Sequence, residues 1–357
     1  MAAFLKKKLP LPREPKSVPE FRPTSAEFAD FWGYIGSLAK IGQEHGAIKI
    51  IPPQEWKARE TYDGADPLIR ACASQTIEGD SGVYKLNIED GGSIFLSDLV
   101  GLINETEAEG GGELNSDPRT AEMEFWRSIG MGSHLVYTAH SQNATLFMDS
   151  SKEWNLGKMR GSDANKLAAD WTSGAQGLFG LSINMSRTSR GWSSVGERAV
   201  HVSYLHQGKP RTVYAIPGAA RQQLHSLASK MRGDGMDHGV GVLDLEPVLL
   251  DPAVFAKHDL PLNRLVQAER EFVLHFPGSS HCSFSHGFSM SEMITLQVTD
   301  AALSLQAADT SASCQSTPNT AHGEAPASAM DGAGGGSEQS PLPAHQAKNA
   351  QQQQQQQ

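Results

Sequence analysis

The chain has 357 residues, 39% of them hydrophobic and 20% charged, and its formal net charge is −10. This length allows one large domain or two ordinary ones, and the acidic balance argues against general nucleic-acid binding. The three cysteines, Cys72, Cys282 and Cys314, form no Cys-x-x-Cys pair, which argues against a disulfide framework and a cysteine-based zinc site. Neither a signal-peptide pattern nor an apolar run of membrane-spanning length occurs, so we expect an intracellular protein.

Both ends of the chain are predicted to lack a fixed structure. Residues 1–16 form a Pro-rich lead with three consecutive lysines, which would suit either a nuclear-import patch or a solubilising terminus. From about residue 300 the composition is dominated by Ala, Ser, Gly, Gln, Thr and Pro, and the chain ends in a glutamine run. Such a segment buries too little apolar surface to offset the entropy of ordering, so we predict that residues 300–357 are disordered.

The first ordered unit is predicted to be a helix followed by a strand. Thr24 or Ser25 provides an N-cap, and Glu27 lies in the first turn. Apolar residues then recur at helical spacing, at Phe28, Phe31, Trp32, Ile35 and Leu38. An alternating run over residues 47–51, closed by two prolines, predicts the strand. A unit this small is not stable alone, so we expect it to pack against the rest of the ordered chain.

The rest of the ordered chain reads as many short strands with a few helices. Residues 60–120 are predicted to be rich in loops, with short strands at 82–88 and 93–95. Further strands are predicted at residues 135–137, 182–185, 198–205, 212–216, 272–276 and 281–284, and helices at 120–129, 219–231 and 252–257. Short strands separated by turn signals indicate a mainly β fold, a sandwich or barrel with helical decoration.

Four ordered segments carry a family resemblance that covers about residues 18 to 296. They are PEFRPTSAEFADFWGYIGSLAKIGQEHGAIKIIPPQEWKAR, FWRSIGMGSHLVYTAH with EWNLGKMR, YLHQGKPRTVYAIP, and FPGSSHCSFSHGFSMSE. The first resembles a JmjN domain and the others resemble parts of a JmjC domain. In this order they are similar to the JmjN/JmjC histone lysine demethylases, in particular to those that act on trimethylated lysines of histone H3.

The resemblance implies a fold, a domain plan and a setting. The fold would be a double-stranded β-helix, the jelly-roll or cupin-like JmjC barrel, with the N-terminal helix–strand unit packed against it. The implied domains are JmjN over residues 17–60, a mixed linker over 61–119 and JmjC over 120–299. The implied setting is chromatin in the nucleus, with the histone H3 tail as partner. The implied reaction is the Fe(II)- and 2-oxoglutarate-dependent removal of N-methyl groups from histone lysines.

The implied iron site has one matching residue and two substituted ones. The family holds Fe(II) with a His-x-Asp/Glu pair on one strand and with a distant histidine. The spacing of that pair follows strand periodicity, because residues i and i+2 share a face. The distant histidine matches His281, whereas the pair falls on Ser193 and Val195. Valine has no donor atom and a serine hydroxyl is a poor ligand, so the iron motif is degenerate.

The implied 2-oxoglutarate site also departs from the family pattern. The tyrosine of that site matches Tyr137, and its lysine position is Arg211, which can pair with a carboxylate but reaches differently. The asparagine that assists the cosubstrate is replaced by Ser203. Tyr137 and Arg211 could still hold a dicarboxylate, or could form a structural hydrogen-bonded pair.

A shifted iron site is one further possibility, in which Glu197 and His201 would join His281. Those two residues share strand parity with Ser193 and Val195, but a shift of four to eight residues covers on the order of 13–26 Å along one strand at about 3.3 Å per residue. We therefore expect that they do not reach the same metal. Past Glu292 the family pattern, including its zinc cysteines, is lost, which suggests a truncated JmjC end.

Three hypotheses remain open from the sequence. The chain is an active demethylase, or a JmjC pseudoenzyme that serves as a chromatin-binding module, or an altered version of an active relative's coding sequence. The lost ligand pair favours the second hypothesis, and the break in pattern after Glu292 motivates the third.

Overall fold

The computed structural model describes residues 15–107, 114–129, 136–142, 144–151, 153–159, 180–232, 243 and 247–298. The chain divides into two units, Met1–Ala312 and Ser313–Gln357, and the second lies wholly outside the described residues. The predictions for residues 1–14 and for the tail after residue 300 therefore concern parts of the chain that the structure does not describe.

The described residues form seven α-helices and fifteen strands. The helices are α1 Ser25–Phe28, α2 Phe31–His45, α3 Leu96–Thr106, α4 Pro118–Ser128, α5 Leu156–Met159, α6 Arg221–Arg232 and α7 Pro252–Lys257. The strands are β1 Lys16–Ser17, β2 Glu20–Phe21, β3 Ala47–Ile50, β4 Leu68–Asp80, β5 Val83–Phe95, β6 Val136–Ser141, β7 Gly180–Asn184, β8 Ser189–Ser194, β9 Ala199–Gly208, β10 Arg211–Ile216, β11 Val248–Leu250, β12 Asn263–Gln267, β13 Phe272–His275, β14 Ser280–Ser285 and β15 Ser289–Gln297.

Two sheets make up the body of the protein. One has five strands in the order β1-β12-β10-β14-β8, and the other has ten in the order β11-β5-β4-β6-β7-β15-β9-β13-β3-β2. Side chains of β14 in the first sheet contact side chains of β9 and β13 in the second, so the two sheets face each other across a shared interior. Neither sheet closes on itself. The predicted class, mainly β with helical decoration, is confirmed.

The N-terminal helix–strand unit packs on the outer face of the ten-stranded sheet. Phe28 stacks on Trp154 with ring centroids 4.6 Å apart, and the Trp154 indole donates a hydrogen bond to the Phe28 carbonyl at 2.8 Å. The other side of this aromatic cluster is formed by Tyr204 of β9 and Phe272 of β13. The strand after α2, which is β3, pairs with β13 and completes the attachment. The unit is thus part of the main core, as its small size requires.

Two predicted regions differ from the observed ones. The single predicted N-terminal helix is two helices, because the Asp30 side chain accepts from the Gly33 backbone and starts a new helix there. In the predicted loop region, the two short strands predicted at residues 82–88 and 93–95 are one strand, β5, whereas its hairpin partner β4 and the helix α3 were not predicted. Although the family's sequence pattern is lost past Glu292, β15 continues to Gln297 within the predicted JmjC bounds and pairs with β9 along its length. Within the described part of the chain, no helix has the length and apolar character to cross a membrane.

The aromatic cluster gives a stability prediction. Phe28 is 2% exposed, and truncating a buried phenylalanine removes its transfer free energy and leaves a cavity. We expect Phe28→Ala to lower the free energy of unfolding by about 3–5 kcal/mol in urea titrations followed by circular dichroism. The matched control is Phe95→Ala, at a phenylalanine that is 49% exposed, for which we expect a change within about 0.5 kcal/mol. Equal losses for the two variants would contradict the packing described.

Candidate functional site

Alternation along β9 separates an apolar outer face from a polar inner face. Val200, Val202 and Tyr204 belong to the core beneath the N-terminal helices. The residues between them, His201 and Ser203, point the other way, because successive side chains of a strand alternate between its faces. His201 and Ser203 therefore lie in the interior between the two sheets, where the chemistry of a site would take place.

Three histidines meet in this interior. His275 of β13 is the register partner of His201 on β9, and both face His281 of β14 across the gap between the sheets. The rings of His275 and His281 stack with centroids 3.9 Å apart and planes 13° from parallel. The rings of His201 and His281 are 5.2 Å apart. The Nδ1 atoms of His275 and His281 are buried and have no hydrogen-bond partner among the described residues.

A bulge in β8 adds an arginine to the same interior. His281 pairs with Ser193, but Ser283 pairs with Arg190, so β8 has one more residue than β14 over this stretch. The extra residue lets Trp192 pack outward, near Phe255, while the Arg190 guanidinium turns inward and contacts the Ser182 hydroxyl at 3.5 Å.

A second arginine, Arg211 of β10, is 6% exposed. Its Nε donates to Oε1 of Gln267 at 2.7 Å, and its Nη2 donates to the hydroxyl of Ser203. The structure thus brings together Arg211 and Ser203, two of the three residues that the sequence assigned to 2-oxoglutarate. The third, Tyr137, is half-buried on β6, and no described hydrogen bond joins it to Arg211. The alternative of a structural Tyr137–Arg211 pair has no hydrogen bond to support it.

These groups give the interior a positive electrostatic potential. Burial, and after it the charges of Arg190 and Arg211, lowers the pKa of His281 to about 3. Burial, and after it the charges of His281 and the two arginines, holds the pKa of His201 well below its usual value. Burial and the nearby Arg190 lower the pKa of Arg211 itself to about 9. The histidines are therefore neutral at physiological pH, and the two guanidinium groups carry the charge.

The residues at the iron slots do not fit an iron ion. Ser193 lies opposite His281 in the strand register, which is where a metal-binding pair would begin, but its hydroxyl is a poor ligand. Val195 is 4% exposed and has no donor atom. Among the described residues, no group of three or more His, Cys, Asp or Glu side chains is placed to hold a metal ion. The rings of His275 and His281 are stacked, an arrangement in which the imidazoles contact each other through their faces.

Of the two residues considered for a shifted iron site, Glu197 and His201, only His201 lies beside His281. Glu197 is exposed and pairs with Arg221 at 2.8 Å, so it does not join His281. The expectation that His201 lies too far away was wrong, since the chain turns after β8 and His201 returns on β9 in the facing sheet, beside His281. Sequence reasoning missed Arg190, His275 and Gln267 as members of this interior. The bulge in β8 changes the face on which Arg190 lies, so strand alternation does not predict it. His275 and Gln267 belong to none of the motifs in the sequence.

The comparisons with known proteins agree with the fold. The family model described as "JmjC domain, hydroxylase" matches residues 180–295, and the one described as "jmjN domain" matches residues 19–52. The chain is 31% identical over 278 residues to the probable lysine-specific demethylase 4F of Homo sapiens, covering 77% of this chain and 43% of that protein. It is 28% identical to lysine-specific demethylase 4D of Rattus norvegicus, covering 78% and 54%, and 29% identical to lysine-specific demethylase 4B of Mus musculus, covering 76% and 25%. The chain spans about half or less of the length of these relatives.

A helix–strand unit packed on two facing sheets, with these strand orders, defines a cupin-like barrel protein of the JmjC type with an N-terminal JmjN unit. The chain carries a JmjN domain and a JmjC domain and is similar in sequence to lysine-specific demethylases. JmjC demethylases are in general dependent on Fe(II) and 2-oxoglutarate, whereas Ser193 and Val195, the residues at the iron slots that the resemblance implies, do not fit an iron ion.

The buried histidines predict a loss of stability in acid. Burial lowers the folded-state pKa of His281 to about 3 and that of His140 to about 4, so the unfolded chain takes up protons first once the pH falls below about 6.5. The contribution of these neutral histidines to the free energy of unfolding should therefore be complete above that pH. It should fall toward pH 4, by up to about 1.4 kcal/mol per pH unit for each such histidine.

The test is urea unfolding across this pH range. We expect His281→Asn to reduce the pH dependence, and the exposed His258→Asn to leave it unchanged. If the free energy of unfolding of His281→Asn depends on pH as steeply as that of the natural chain, His281 is not buried in its neutral form.

Proposed function

We propose that this chain acts in chromatin regulation in the nucleus, with the histone H3 tail as its partner, as a histone lysine demethylase family member without the family's iron-dependent oxidation. The family reaction removes N-methyl groups from histone H3 lysines. The chain would retain the framework that presents a peptide to the barrel. It would lack the iron site at which the family's oxidation takes place.

The observation that carries this proposal is the register pair of His281 and Ser193. The backbone brings the two ligand-bearing strands together as an iron site requires, yet only one of the two facing residues is an imidazole. The next slot, Val195, contributes nothing. One histidine with no second or third protein ligand gives little affinity for Fe(II), so no oxidation step is assigned to this interior.

Electrostatics support the same conclusion. The charges of Arg190 and Arg211 act on His281, where they disfavour a proton. The same positive potential would oppose a divalent cation at that point, because two like charges repel strongly where water is largely excluded. In this interior the arginines, and not a metal, supply the positive charge.

Retention of the framework supports a role in binding. The Glu292 carboxylate on β15 accepts from the Thr145 hydroxyl at 2.9 Å and lies 3.2 Å from Nε2 of His206 on β9. The Tyr62 hydroxyl lies 2.8 Å from Nδ1 of the same histidine. This buried network connects Thr145, in a loop, and Tyr62, which follows the N-terminal unit, to the adjacent strands β9 and β15. These contacts hold that part of the framework in place, which supports a role in binding.

A turnover assay tests the proposal. Purified protein is incubated with Fe(II), 2-oxoglutarate and a set of methylated histone H3 peptides, and succinate and formaldehyde are measured. We expect neither product above a blank that contains iron without protein. We also expect H3 peptides to bind in the presence of EDTA. Succinate formed in proportion to protein and peptide would contradict the proposal, as would a complete lack of binding to H3 peptides.

A variant in which the ligand pair is restored provides the matched comparison for metal binding. We expect the natural chain to bind less than one equivalent of Mn(II) at micromolar metal, measured by electron paramagnetic resonance. The double variant Ser193→His with Val195→Glu restores a His-x-Glu pair opposite His281, and we expect its affinity for Mn(II) to rise by about tenfold or more. Tight one-to-one binding by the natural chain, abolished in His281→Ala, would contradict the assignment.

A further inference from the structure

Strand β5 lies near one end of the ten-stranded sheet, and most of its outer edge is uncovered. On its inner side β5 pairs with β4. On its outer side β11 pairs only with Val83–Lys85, and the Pro247 carbonyl accepts one further bond from the Leu86 backbone. From residue 87 to residue 95, no described strand covers this edge. An open pocket lined by residues 85–89 and Pro247 lies beside the start of the uncovered stretch. The backbone N–H and C=O groups that point outward there are available to another strand.

Apolar side chains are exposed along the same hairpin. Seven large hydrophobic side chains are exposed in the described part of the chain, and three of them belong to β4 and β5. They are Leu68 at 43%, Ile88 at 55% and Phe95 at 49%. Leu68 and Phe95 are cross-strand partners, so their side chains lie on one face of the sheet. Exposed apolar side chains on an unpaired edge favour association with a further strand.

A bulge at Gly91 brings Ile88 to that same face. Residues 72 and 73 of β4 pair with residues 92 and 90 of β5, which leaves Gly91 as an extra residue. Ile88 and Phe95 are seven positions apart, and in a regular strand an odd separation places two side chains on opposite faces. The extra residue restores the parity, so Ile88 and Phe95 project from the same face.

The uncovered edge is complementary to itself in one antiparallel register. With a twofold axis between Gly91 and Gly92, Ile88 of each copy lies opposite Phe95 of the other copy. Opposite residues of antiparallel strands contact each other on one face, so the exposed apolar side chains meet twice in such an interface. The two glycines lie at the axis, where the absence of side chains lets the two backbones approach closely.

The acids of this edge select that register. Glu89 falls opposite Ile94 and Asp90 falls opposite Ser93, so neither acid directly faces an acid of the other copy. A twofold axis between Glu89 and Asp90 would instead place these two acids opposite each other, which is unfavourable. Charges and bulges on an edge strand oppose indiscriminate pairing. The register centred on the glycines avoids the first obstacle and makes use of the second.

We propose that two copies of this chain associate through their β5 edges, antiparallel and with a twofold axis between Gly91 and Gly92. The interface consists of a backbone ladder and of two identical apolar clusters, each formed by Ile88 of one copy with Phe95 and Leu68 of the other. Both copies use the same surface, so the interface closes on itself and stops at a dimer. The proposal is independent of the proposed function, because the histidine interior and the iron slots take no part in it.

Analytical ultracentrifugation over a concentration series tests the association. We expect a monomer–dimer equilibrium at concentrations up to about 100 µM. Ile88→Lys places a charge on the edge strand and should weaken the dimer by about tenfold or more. The matched control is Ile41→Lys, at an isoleucine of α2 that is 36% exposed, and it should dimerise as the natural chain does. Circular dichroism should show both variants folded, because neither side chain is buried. A natural chain that stays monomeric at about 100 µM, or an Ile88→Lys variant that dimerises equally well, would overturn the proposal.

Disulfide cross-linking tests the register. All proteins carry Cys314→Ser, and the two cysteines in the described part of the chain are buried. A mixture of Ile88→Cys and Phe95→Cys proteins should form a disulfide-linked dimer under mild oxidation, because the Cβ atoms of opposite residues lie about 4.5–5.5 Å apart. Either protein alone should not, because the two copies of one position lie on the order of 23 Å apart at about 3.3 Å per residue.

The outcomes of cross-linking are distinct. A disulfide that forms only in the mixture supports the register centred on the two glycines. Equal cross-linking of Ile88→Cys with itself would show a different register, and a mixture that forms no disulfide would show that the two edges do not meet; either result overturns the proposal. A mixture of Ile41→Cys and Phe95→Cys proteins provides the control for random collision and should remain monomeric.

Discussion

The alternation of side chains along β9 is the constraint on which the rest of the structure depends. Every second residue, such as Val202 and Tyr204, faces the aromatic core that attaches the N-terminal unit. The residues between, His201 and Ser203, are thereby directed into the interior. A slip of one residue would bury histidine and serine in the aromatic core and turn valine into the site. The register of β9 therefore determines both how the JmjN unit is attached and which residues lie in the site.

Within that interior, two arginines, Arg190 and Arg211, provide positive charge close to His281. The family's arrangement uses a metal ion held by an acid and two histidines, in which the acid offsets part of the metal's charge. Here the position that the resemblance assigns to the acid is Val195, and a strand bulge directs Arg190 inward. Both features disfavour a cation in this interior. The framework outside, including the buried Glu292–His206 contact, is unaffected because it lies on the other face of its strands.

Much of this could be predicted from the sequence, and the failures have physical causes. The family motifs located His281 and Arg211, and the strands predicted at residues 198–205, 212–216 and 281–284 correspond to β9, β10 and β14. Arg190 was missed because the bulge in β8 inverts the parity on which such reasoning depends, and a bulge leaves no clear mark in one sequence. His201 was placed too far from His281 because sequence separation says nothing about how two sheets face each other. The helix break at Asp30 could have been found, since Asp three residues before a helical glycine is a recognisable cap.

The most direct measurement of the central claim, that the residues at the iron slots do not hold a metal ion, is a crystal structure grown with Mn(II), with data collected at the manganese absorption edge. We predict no anomalous peak beside His281, because Ser193 and Val195 supply no second and third ligand. An anomalous peak bonded to His281 would contradict the claim.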